Sequence, residues 1–61
     1  MPRIAVQDSY VDVPEGSTIE DAMRASGRTP DSYIYLADGR PVPMDSRPDV
    51  DVRALRVASG G

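Results

Sequence analysis

Cysteine, histidine and lysine are all missing from this 61-residue sequence. Without cysteine, neither a disulfide framework nor a thiolate metal site can supplement the core. Losing histidine as well removes the usual neutral-pH base and the two commonest zinc ligands. Catalysis by the chain itself is therefore not expected, and no bound cofactor is implied. No apolar run approaches the ~18 residues of a membrane span, and Met1-Pro2-Arg3 opens directly onto a strand-like segment rather than a signal peptide. A cytoplasmic protein is expected, without a membrane partner.

Ten acidic residues against seven arginines give a net charge of -3 and a pI near 4.5, a poor balance for binding nucleic-acid phosphates. A chain this short forms one domain at most and buries only about 60% of the surface its unfolded form exposes. With 39% apolar and 28% charged residues, the composition is that of a small folded domain and not of a disordered tail.

Arg3 to Gln7 alternates in polarity, and Tyr10 to Val13 alternates again after Asp8-Ser9, which predicts a β-hairpin. Pro14-Glu15-Gly16 punctuates. Ser17-Thr18-Ile19-Glu20 then has the form of a capping box, with Ser17 as cap and Glu20 bonding back. Ile19, Ala22, Met23 and Ser26 follow at helical spacing, with Glu20 and Arg24 paired outside. Gly27 suits the left-handed position that ends a helix, and Pro30 prevents its continuation, so the helix is short, roughly residues 18 to 26. A third strand is predicted over Tyr33-Ile34-Tyr35-Leu36-Ala37, closed by the turn pair Asp38-Gly39. Three prolines break up residues 41 to 48, and a last strand runs from about Asp51 to Val57. Ala58 to Gly61 are small residues expected to form an extended, exposed tail.

Strand, strand, helix, strand, strand can bury a single helix only across one face of a sheet. The expectation is an α+β, β-grasp fold over residues 1–57. It has a four-stranded mixed sheet with its first and last strands parallel neighbours at the centre.

At this point the sequence resembles the ubiquitin-like carriers: the small archaeal modifier proteins, the thiamine-pathway sulfur carrier and the small subunit of molybdopterin synthase. Three pieces carry the resemblance. They are Asp38-Gly39-Arg40-Pro41-Val42-Pro43, Val52-Arg53-Ala54-Leu55-Arg56-Val57 and the terminal Gly60-Gly61, the first two being closest to an archaeal modifier. Two terminal glycines arise by chance in roughly 0.5% of chains. In such families an activating enzyme uses ATP and magnesium to adenylate the terminal glycine carboxylate, which then passes on as a thioester, thiocarboxylate or amide. The resemblance makes Gly61 that carboxylate, with no protease needed to expose it. The chemistry is sound on its own terms: a carboxylate is a poor acyl donor, and an acyl-adenylate has a good leaving group. Glycines also let a backbone thread a narrow channel.

The resemblance implies a monomeric carrier whose partners are an adenylating enzyme and either target proteins or sulfur-accepting enzymes. Conjugation of Gly61 to lysines of other proteins is the first reading. The alternative is a thiocarboxylate for tRNA thiolation, molybdopterin or thiamine synthesis, and a plain interaction module comes third. By family comparison Tyr33, Tyr35, Ala37, Val52 and Ala54 face inward. Ile34, Leu36, Leu55 and Val57 are then left outward as a counterpart of ubiquitin's recognition patch. Reversed parity would make those four the core. Together with Arg53, Arg56 and Ser59 they are the expected contacts for the activating enzyme.

Other groups have plainer readings. Asp45, Asp49 and Asp51 lack the spacing of a calcium loop, and Glu20 and Asp21 are explained as charges at a helix N-terminus. Tyr33 and Tyr35 are packing residues. Because arginine cannot accept an acyl group, a modifier without lysine offers no side-chain site to another copy. Only the amino group of Met1, or of Pro2 after trimming, remains.

Overall fold

Hydrophobic alternation near the N-terminus becomes a hairpin: β1 (Arg3–Ala5) pairs antiparallel with β2 (Tyr10–Asp12), Ile4 opposite Val11. The structure is a computed structural model and describes residues 1–57. Ser59, Gly60 and Gly61 lie outside the described residues. The amide of Val6 donates to the Ser9 carbonyl at 2.9 Å and closes the loop, so the turn is four residues wide and centred just before the expected Asp8-Ser9.

Helix α1 (Ile19–Ala25) starts one residue later than a Ser17 cap would place it. The cap is Thr18, whose hydroxyl accepts from the Asp21 amide at 3.1 Å. Ser17 is engaged elsewhere, its amide closing the Pro14–Ser17 turn through the Pro14 carbonyl, where Gly16 takes φ 84°. Glu20 does not bond back either; it pairs with Arg24 at 3.1 Å. The first two helical amides find partners far along the chain: Ile19 donates to the Ser46 carbonyl and Glu20 to that of Met44. Those long-range acceptors satisfy the donors that a helix start leaves open. At the other end Gly27, at φ 85°, follows the cap Ser26. Arg28 donates to the Met23 carbonyl and Gly27 to that of Arg24, a Schellman closure. Ser26, expected in the buried stripe, is exposed and caps the helix instead.

A 3₁₀ turn (Pro30–Ser32) leads into β3 (Tyr33–Ala37). Next come β4 (Arg40–Val42) and β5 (Val52–Arg56). The sheet has five strands rather than four, in the order β2-β1-β5-β3-β4. The additional strand is β4, which pairs with β3 through Asp38-Gly39. Both turn residues have positive φ, 54° and 77°, the geometry of a two-residue hairpin turn. Pro41 had argued against a strand, but β4 lies at the sheet edge, where a missing amide leaves no ladder bond unmade. As expected, β1 and β5 are parallel and adjacent, Ile4 beside Val52. The chain is an α+β β-grasp.

One core lies between α1 and the sheet: Ile4, Val6, Val11, Val13, Ile19, Ala22, Met23, Tyr35, Val52 and Ala54. Replacing any of its larger members by alanine would cost about 2–5 kcal/mol, a large share of what a domain this size possesses. Among the described residues no helix is long and apolar enough to cross a membrane.

Candidate functional site

Side chains alternate across a strand, so the burial of Tyr35, Val52 and Ala54 under α1 turns their neighbours to the other face. Ile34 and Leu55 are directly opposite each other on β3 and β5 and are 50% and 47% exposed. Leu36 stands beside Arg53 on the same face, half-buried. Val57, one step past β5, is 40% exposed; its amide donates to the Ser32 carbonyl at 2.9 Å, carrying the β3–β5 ladder past the end of β5. The reversed parity is thereby excluded. Tyr33 and Ala37 complete the inward set as partly buried packing around the core.

The two arginines separate. Arg53 lies on the open face, between Leu36 on β3 and Ala5 on β1. Arg56 is opposite Tyr33 and belongs by parity to the helix side, so it does not share a face with Ile34 and Leu55. Among the described residues neither arginine makes an ion pair.

The hairpin loop between β1 and β2 adds to this face a feature that β3 and β5 do not predict. Because Ala5 is level with Arg53, residues 6 to 9 rise beside the C-terminal half of β5. Gln7, Asp8, Ser9 and Tyr10 form one wall of a groove of about 540 Å³ whose other wall includes Arg53 and Leu55. Tyr10 is 67% exposed, and its ring lies 5.8 Å from the Arg3 guanidinium. The loop is held from behind by Arg28, which donates to the Ser9 hydroxyl at 3.1 Å. The alternation Tyr10-Val11-Asp12-Val13 turns two valines inward and Tyr10 outward, but the loop's place beside β5 comes from the β1–β5 register.

Two of the polar side chains singled out from sequence, Asp51 and Tyr35, serve the fold. Asp51 accepts from the Arg3 amide at 3.1 Å. Arg3 also pairs with Asp12 at 3.4 Å. Tyr35 donates its hydroxyl to the buried Pro30 carbonyl at 2.7 Å. Burial, reinforced by Tyr33, Asp31 and Glu20 nearby, pushes its pKa from 10 up to about 12. Among the described residues no group of acids is placed to hold a metal ion. This surface is fit for binding: an apolar centre, Arg53 without an ion pair among the described residues, and a groove, all on the face that α1 leaves uncovered.

The profile of the family described as small archaeal modifier protein 2 matches residues 4–58. The chain is also 39% identical over 59 residues to small archaeal modifier protein 2 of Haloferax volcanii, covering 95% of this chain and 89% of that relative.

Proposed function

This chain belongs to the small archaeal modifier protein 2 family, and from that premise we propose that it is a carried group, activated at the Gly61 carboxylate and joined to lysines of other proteins. The family match along the β-grasp carries the reading. The open face supports it, because Ile34 and Leu55 lie at the end of the sheet from which the last four residues continue. In this reading a partner enzyme consumes ATP with magnesium to form the Gly61 acyl-adenylate. A lysine amine of the target attacks that carbonyl, directly or after transfer to an enzyme thiol. The amide bond forms, the leaving group departs and the amine gives up a proton.

The modifier supplies recognition and an acyl group, and no catalytic side chain. Ile34, Leu36, Leu55, Val57 and Arg53 are the activating-enzyme contacts on the open face. Arg56 and Ser59 are further contacts for that enzyme, and Gly60 is activated together with Gly61 as the terminal pair. The setting is the cytoplasm, where ATP is available, and the carrier acts as a monomer.

Removal of Gly60 and Gly61 tests the proposal. The core lies within residues 4–54, so the truncated protein should melt as the parent does, while ATP–pyrophosphate exchange by the activating enzyme is abolished. Unchanged exchange would refute activation at Gly61. Mass analysis of the protein from its own cells separates the two fates of the activated carboxylate. Branched peptides on target lysines support conjugation, and a mass gain matching one oxygen replaced by sulfur supports the sulfur-carrier alternative.

A further inference from the structure

An amide link between two copies requires a nitrogen lone pair on one of them. Lysine is the side chain that supplies one, and none of the 61 residues is lysine. All seven cations are arginines, whose guanidinium stays protonated at any physiological pH and carries no free electron pair to attack an acyl carbon. Serine, threonine and tyrosine hydroxyls are also protonated near pH 7 and would give esters, not amides. Within these residues the remaining nitrogen nucleophile is the main-chain amine at residue 1.

The fold places that amine away from the donor end. β1 and β5 run parallel with Ile4 beside Val52, so residue 1 projects beyond one end of the sheet and Val57 stands at the other. Eight residues of register separate them, roughly 25 Å at the rise of a strand. The four residues after Val57 reach at most about 14 Å when fully extended. Those four residues therefore fall short of Met1 in the same copy, and Met1 is 82% exposed.

Resting on the conjugation reading above, we infer that this modifier is a chain terminator: no side chain of an attached copy accepts a second, and any copy-to-copy link runs head to tail through the N-terminal amine. The reacting bond is the same as for a target. The acceptor nitrogen bonds to the Gly61 carbonyl carbon, the adenylate or thiolate leaves, and the nitrogen loses a proton.

Two conservative variants test this by adding the missing group. Arg40→Lys is on edge strand β4, level with the start of β5 and so at the pole away from the tail. Arg24→Lys is on the exposed side of α1. Parent and variants would be expressed in the native cells, and conjugates digested with trypsin. Cleavage after Arg56 leaves Val57 to Gly61 as a five-residue branch on each acceptor. For the parent, the branch should occur on target lysines and, among its own residues, on the N-terminal amine alone. For at least one variant it should also appear on the introduced amine, with new species one modifier mass heavier. A branch on any internal residue of the parent overturns the inference. So does its absence from the introduced amine in both variants, because something other than acceptor chemistry would then stop growth. No branch on any protein would remove the conjugation reading itself, a result distinct from either.

Discussion

Ala54 and Leu55 are neighbours in sequence and opposites in environment, the first buried under α1 and the second half-exposed on the open face. A charge at each position therefore reports a different property. Leu55→Asp loses its cross-strand partner Ile34, a contact of about 0.2–1 kcal/mol, and should shift the melting temperature little while lowering the activating enzyme's apparent affinity at least tenfold. Ala54→Asp buries an unpaired carboxylate and should abolish the cooperative melt. If Leu55→Asp leaves pyrophosphate exchange untouched, the open face is not where that enzyme docks. Tyr35 offers a test through pH. Its folded pKa of about 12 lies above its unfolded value of 10, so its contribution is whole below pH 10 and is lost as pH rises through 12. Stability should fall over that window by roughly 2 kcal/mol. Tyr35→Phe should flatten this alkaline limb, at a neutral-pH cost of about 1–3 kcal/mol for the Pro30 carbonyl left unbonded. Denaturant titrations at pH 8, 10 and 12 measure both effects.

At the scale of the element, α1 shows where local reading ends. Its existence, its buried Ile19, Ala22 and Met23 and its glycine stop were legible because they follow from spacing within a few residues. The cap was misplaced by one position because the carbonyls of Met44 and Ser46, about 25 residues away in sequence, receive the amides that a capping box would have served. Thr18→Ala should cost about 1 kcal/mol, whereas Ser17→Ala should change stability by less than about 0.5 kcal/mol; urea denaturation of the two variants distinguishes the assignments. Strand β4 was missed for a related reason. Asp38-Gly39 is a strong hairpin signal, but Pro41 reads as a breaker until it is known that β4 forms the sheet edge, a property of the assembled sheet. The open face follows the same logic: alternation gave two possible parities for β3 and β5, and only the position of α1 decides between them. The hairpin loop beside Leu55 could not have been found from either strand alone, since it depends on the parallel register of β1 against β5.

For the molecule as a whole, the parallel contact between β1 and β5 has a mechanical consequence. Tension applied between residue 1 and residue 57 pulls the two strands past each other along their length, so the bonds that join them are loaded together in shear. Ser32 and Val57 stand instead at the same end of antiparallel strands β3 and β5, and separating them peels that ladder one bond at a time. Because the sequence has no cysteine, a pair of introduced cysteines gives unambiguous handles for single-molecule pulling. Handles at Met1 and Val57 are expected to require a clearly higher rupture force than handles at Ser32 and Val57, and equal forces would show that strand direction does not set the mechanical barrier. Forced unfolding is governed by the height of that barrier rather than by equilibrium stability. A small domain of modest thermodynamic stability can thus resist being dragged apart along one axis while giving way readily along another.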